Sequence, residues 1–194
     1  MPHICGCRFY YSTMIIYAPF EIIILSIIVS PIAIIALKRK YKGTQLISAF
    51  ALAAYLVLIC KYFFFPIILD RDIISQGGNT VQCIPFLPFL EQIRSVGWKR
   101  FLYQTAGNIL AFVPISFFLA LLSPRLQSFR RSLIASVSIS FCVELIQLCI
   151  NLLTGIPNRV VDINDLILNT LGGMIGYLVY RLWRRLFVDG DGFR

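Results

Sequence analysis

Charged side chains are scarce in this 194-residue chain: they make up 14% of it, while 58% is hydrophobic. Soluble globular domains carry about 25% charged and about 45–50% apolar residues, so the composition belongs to a membrane-embedded chain. Mean hydropathy is +0.80. Disordered, collagen-like and disulfide-framework classes are excluded by the same figures. There is a single histidine, His3, which removes Ser-His-Asp chemistry in practice. G-x-S-x-G, H-E-x-x-H and glycine-rich phosphate loops are missing as well. Six cysteines are present, at positions 5, 7, 60, 83, 142 and 149. Cys5-Gly-Cys7 lacks zinc-knuckle spacing, and a disulfide between Cys83 and the Cys5/Cys7 pair is left open. No cofactor is expected. Any chemistry must use carboxylates, amides or arginine.

What the chain does have is long apolar runs. Five are long enough to cross about 30 Å of hydrocarbon as helices of around 20 residues: 14–37, 45–69, 101–122, 132–153 and 166–183. The first run is longer than a signal-peptide core and has no small-x-small cleavage site, so no leader is expected. The fold expectation is an all-α polytopic membrane helix bundle in four segments: a two-helix segment 1–70, an external loop 71–100, a three-helix core 101–185 and a cytoplasmic tail 186–194. The net charge of +9 is read here as a topology signal, and no nucleic-acid partner is expected. Lys38, Arg39, Lys40, Lys42, Arg125, Arg130, Arg131, Arg181, Arg184, Arg185 and Arg194 fall on one side and outnumber the bases on the other. The positive-inside rule then puts the N-terminus outside and the C-terminus in the cytoplasm of a bacterial plasma membrane. Within the external loop, Phe86, Phe89, Leu90 and Ile93 have helical spacing, so an amphipathic interfacial helix is expected there, with Trp98 as its anchor. An ordinary loop packed on the bundle is the alternative. Gly155-Ile156-Pro157-Asn158 reads as a tight turn before the last span.

Only nine acidic residues are present, so each one inside a span is informative. Glu144, with Gln147 and Asn151 on the same helix face, lies past mid-depth toward the outside. Asp162, Asp165 and Asn169 form a stripe that continues through Gly172, Gly173 and Gly176, glycines that let a neighbouring helix come close. Asp162 and Asp165 also suit the first turn of a helix, a structural role. Asn108 enters the same layer from the third span, and Arg159 is the expected cation to neutralise the acids. Glu21 and Lys61 match in depth as a candidate pair, with snorkelling of Lys61 as the alternative. The seam admits two readings: a hydrogen-bond network that fixes helix order, or a cavity for a polar head group. Clustered charges favour the cavity, because they are an expensive means of holding helices together. Asn108, Glu144, Gln147, Arg159, Asp162, Asp165 and Asn169 are the candidate ligand-binding residues. Glu144 is the candidate catalytic group if there is one, and Asp162 and Asp165 are weak metal candidates.

Gly107-Asn108-Ile109-Leu110-Ala111-Phe112-Val113-Pro114, then Glu144-Leu145-Ile146-Gln147, then Arg159 and the run from Asp162 to Gly176 together resemble the VanZ-like family of bacterial membrane proteins. Ile84-Pro85-Phe86 matches the family's segment before the third span. The resemblance covers roughly half the chain, about residues 84 to 183. The chain departs from the family at Ile115-Ser116, where glycine is usual two positions after the proline. The resemblance implies a role in resistance to teicoplanin-type glycopeptides, with no agreed biochemical activity, and it places the motif on the seam residues above and on Phe112 and Pro114. Membrane lipids or a lipid-linked cell-wall precursor are the expected partners, and the oligomeric state is open. Three functions stay in competition: binding of a lipid-linked envelope component, an intramembrane enzyme using the carboxylates on such a lipid, and a membrane scaffold.

Overall fold

The computed structural model describes residues 43–65, 67, 81–85, 93–94 and 97–189, together with Ile27, Ser30 and Ile34. The expected span 14–37, the Glu21 partner of Lys61, Cys5, Cys7, and Phe86, Phe89 and Leu90 of the interfacial helix lie outside these residues. The elements are α1 (Thr44–Phe64), β1 (Val81–Gln82), α2 (Trp98–Leu122), α3 (Phe129–Thr154), β2 (Val161–Asp162) and α4 (Ile163–Phe187). Within α1, α2 and α3 lie stretches long and apolar enough to cross a membrane. The 25 residues of α4 are long enough as well, but polar and glycine residues in its first half and arginines in its last turns dilute the apolar run.

Each boundary has a local cause. The expected span 45–69 is cut short because Phe65 precedes Pro66, and a residue before proline is driven out of the helical region; α1 therefore ends at Phe64. At the start of α2, Gly97 has φ 83°, which favours glycine. That start also corrects the placement of Trp98, which is the first residue of α2, its ring 5.8 Å from that of Phe101. Gly155 closes α3 in the left-handed conformation, φ 67°, with its N–H donating to Asn151 O at 2.9 Å. Asp162 caps α4 by accepting from the backbone N–H of Asn164 at 2.9 Å.

The chain forms two compact units, 1–60 and 61–194. In the first unit, Ala49, Leu52 and Ala53 form a buried stripe on α1. The second unit contains the last turn of α1 and everything after it. Its helices are inside-out. The buried residues of α3 are Ser132, Ser136, Ser140, Glu144, Gln147 and Asn151, while Ile134, Val137, Phe141, Leu145, Leu152 and Leu153 are exposed. A water-soluble helix has the opposite arrangement. Here the apolar face has lipid as its solvent, and association relies on close packing and polar contacts.

The closest packing joins α2 to α4. A methyl at Gly172 would meet the backbone carbonyl of Ile109, and one at Gly176 would meet that of Val113. Gly173 does the same for α3, lying against the Ser136 side chain. Ser116, the position where the family carries glycine, fits because Gly176 opposes its Cβ, and its hydroxyl lies 3.1 Å from that of Ser132. At the end of the bundle away from Asp162, Tyr177, Tyr180 and Ala120 form a buried cluster flanked by Phe117 and Trp183.

Candidate functional site

The turn between α3 and α4 is built by side chains bonding to nearby backbone. The amide of Asn151 holds Arg159 on both sides, donating to its carbonyl at 2.6 Å and accepting from its N–H at 3.2 Å. Thr154 Oγ1 donates to Ile150 O at 2.8 Å and accepts from Asn158 Nδ2 at 3.0 Å. Beyond Arg159, β2 pairs in parallel with β1, Val161 with Val81 and Asp162 with Gln82. This short ladder brings the segment after α1 onto the start of α4.

Asp162 is consequently held by three hydrogen bonds. Its Oδ1 accepts from Asn164 N at 2.9 Å and Asn164 Nδ2 at 2.8 Å, and its own N–H donates to Glu144 Oε2 at 3.1 Å. Glu144 is thus bound to the backbone that starts α4. One turn into α4, Asp165 accepts from Asn108 Nδ2 at 2.5 Å. Gln147 Nε2 reaches across to Phe63 O at 3.2 Å.

These groups border a cavity of about 670 Å3, lined by Asn108, Gln147, Arg159, Asp162 and Asp165 and by Tyr62, Phe63, Tyr103 and Gln82 among others. Five of the seven sequence-derived candidates share this one space. Glu144 stands behind it, one hydrogen bond from Asp162. Asn169 does not line it: it lies one turn further along α4, fully buried.

Arg159 differs from expectation. Its Nη2 donates to Phe65 O at 2.8 Å and Tyr62 O at 3.4 Å, carbonyls at the C-terminal end of α1. A cation at that end answers the unpaired carbonyls and the negative pole of the helix. No acid among the described residues comes within ion-pair distance of it. It holds the segment 62–65 at the cavity instead of neutralising the acids directly.

The sequence reading missed four contributors. Tyr62, Tyr103 and Gln82 line the cavity, and Asn164, 1% exposed, locks Asp162. The i, i+4 serines before Glu144 were a readable signal of a polar buried face; the two-residue strand had none. Among the described residues no group of three or more His, Cys, Asp or Glu gathers as a metal site. In Asp162 and Asp165, the weak metal candidates, one carboxylate oxygen each is already engaged by an asparagine. Cys60, Cys83, Cys142 and Cys149 are free thiols.

Polar atoms without a partner remain in this layer and below it: Gln147 Oε1, Arg159 Nε, Ser140 Oγ and both side-chain atoms of Asn169. Buried groups of this kind mark a place where water or a ligand completes the structure.

The sequence profile of the VanZ/LLP1 family matches residues 52–184. No curated protein and no solved structure matches the chain.

Proposed function

Starting from the fact that the chain belongs to the VanZ/LLP1 family, we propose that it is a multi-pass protein of the bacterial plasma membrane whose cavity holds the polar head group of a lipid-linked cell-envelope component. The observation that carries this reading is the cavity itself: about 670 Å3 of polar-lined space at the end of an inside-out bundle. Ligand sites commonly have volumes of about 300–1,000 Å3, so a sugar or phosphate head group fits. Asp162, Asp165 and Gln147 accept from hydroxyl or amide groups, Asn108 orients Asp165, and Tyr62 and Tyr103 offer aromatic surface to a sugar ring. The acyl or prenyl chain of such a ligand stays in the bilayer beside the exposed apolar faces.

With the N-terminus outside and the C-terminus in the cytoplasm, the cavity faces the extracellular leaflet. Holding an envelope precursor there lowers access of a lipid-bearing glycopeptide of the teicoplanin type to its target. The unpartnered Gln147 Oε1 and Arg159 Nε, both on residues that line the cavity, favour binding over a purely knitting role, because a network that served only to hold helices would pair its own members.

The test is retention of an undecaprenyl-linked disaccharide precursor by the full chain in nanodiscs, read by native mass spectrometry. Wild type is expected to carry the precursor and Asp165→Asn to lose most of it at equal folded protein. In cells, Glu144→Gln is expected to abolish teicoplanin protection without lowering the amount of protein in the membrane. Equal retention and equal protection in both variants would remove the cavity as the site.

A further inference from the structure

Arg159 lines the cavity together with Asp162 and Asp165, yet no acid among the described residues comes within ion-pair distance of the guanidinium. A cation and two carboxyls in one low-dielectric space ordinarily close on each other. Local anchors keep these apart. Arg159 Nη2 is tied to the carbonyls of Tyr62 and Phe65, and Oδ1 of each aspartate is tied to an asparagine.

The groups these anchors leave over are complementary. On the basic side, Arg159 Nε is buried without a partner, and Nη1 is bonded to none of the described residues. On the acidic side, Asp162 and Asp165 each keep a second oxygen, Oδ2, that no described residue engages. Asp162 caps α4 and Asp165 follows three residues later, so both carboxyls belong to its first turn. Gln147 adds a third acceptor: it is 6% exposed, its amide nitrogen donates to Phe63 O, and its Oε1 is unpartnered. It stands one turn along α3 from Glu144, which accepts from the Asp162 backbone. All three acceptors therefore lie where α3 meets the start of α4.

Three acceptors match the three N–H donors of a primary ammonium, and the guanidinium matches the oxygens of a phosphate. Tyr62 and Tyr103 complete the lining with aromatic rings, whose faces attract cations. A purely anionic guest would meet the two aspartates and a purely cationic one Arg159, whereas a guest with both charges finds a counterpart for each. We propose that the head group held in this cavity carries a primary ammonium as well as a phosphate, the amine bound by Asp162, Asp165 and Gln147 and the phosphate by Arg159. This rests on the reading that the cavity takes a lipid head group and narrows it to one charge pattern. The arriving ammonium favours the anionic form of both carboxyls. Prenyl-phosphate-linked amino sugars and ethanolamine phospholipids share this chemistry.

The experiment offers the full chain, in maltoside micelles, lipid pairs in which a hydroxyl replaces the amine, and reads retention by native mass spectrometry. One pair is undecaprenyl-phosphate-linked glucosamine against undecaprenyl-phosphate-linked glucose; the other is phosphatidylethanolamine against phosphatidylethylene glycol. Wild type is expected to retain the amine several-fold over the hydroxyl in at least one pair, and the pair that shows it identifies the source. Asp162→Asn and Asp165→Asn, measured singly, are each expected to lower that ratio, because asparagine keeps the bond to Asn164 or Asn108 through its carbonyl oxygen but turns N–H groups toward the ammonium. Arg159→Gln is expected to lower retention of both members alike, and the exposed Leu171→Ala to change neither. A wild-type ratio of one in both pairs, or an unchanged ratio in both aspartate variants, overturns the proposal. Lipids retained at a ratio of one discard the amine and leave the head-group reading standing, whereas retention of no lipid by folded wild type discards both.

Discussion

The side-chain amide of Asn108 donates to the Asp165 carboxylate across 2.5 Å, linking α2 and α4 over 57 residues of sequence. It joins helices whose backbones are already in close contact at Gly172 and Gly176. Removing the donor with Asn108→Leu is expected to cost about 1 kcal/mol, the low end of the penalty for leaving an acceptor unmatched, because Asp165 is only partly buried and borders the cavity. The swapped double variant, Asn108→Asp with Asp165→Asn, keeps one amide and one carboxylate and is expected to recover part of that loss. Reversible unfolding in mixed micelles measures all four corners of the cycle.

Gly172 has a sharper requirement, since even a methyl there would meet the Ile109 carbonyl. Gly172→Ala is expected to push α2 and α4 apart and to cost about 1–3 kcal/mol, as overpacking commonly does. The exposed Ile175→Ala on the same helix is the control, expected to change stability far less. The same unfolding measurement distinguishes them.

Arg159 donates to two carbonyls at the end of α1, so its replacement is expected to act on α1 first. Arg159→Ala should raise hydrogen exchange across residues 62–65 relative to wild type. Arg159→Lys should show an intermediate effect, because an ammonium keeps the charge but lacks the planar fork. Exchange at 62–65 identical to wild type in both variants would show that the guanidinium does not hold that end.

Asp162 caps α4 through Asn164. Asp162→Ala is expected to cost about 1 kcal/mol, and Asp162→Asn to retain most of the capping bond. Amide exchange in the first turn of α4 reads the difference, which should be largest at Asn164.

Glu144 accepts from the Asp162 backbone, and glutamine can do the same through its carbonyl oxygen. Glu144→Gln is therefore expected to keep the fold while removing the ionisable group, whereas Glu144→Leu leaves the donor unmatched and should reduce folded protein in the membrane. Comparing yields of the two after membrane extraction tests that separation.

The helical core was readable because apolar runs and their polar interruptions are local properties of the chain. Depth alone brought Asn108 and Asp165 to one layer, since a fixed rise per residue converts position into height. Arg159 was misassigned for the opposite reason: its partners are backbone carbonyls, which every residue carries and no sequence pattern advertises. Gln82 was invisible because a two-residue strand has no period, and its pairing to Asp162 is set by the tertiary approach. Pro66 did announce the end of α1, but an apolar stretch on both sides hid it from a hydropathy reading.

The strand pair at the cavity has one more consequence. Because Gln82 borders the space and is the register partner of Asp162, which caps α4, whatever lifts the strand from its neighbour also loosens the first turn of the helix. Such a displacement reaches Glu144, on a different helix, through the backbone bond it shares with Asp162. The strand and the inner acid are tied to each other through a single residue, Asp162.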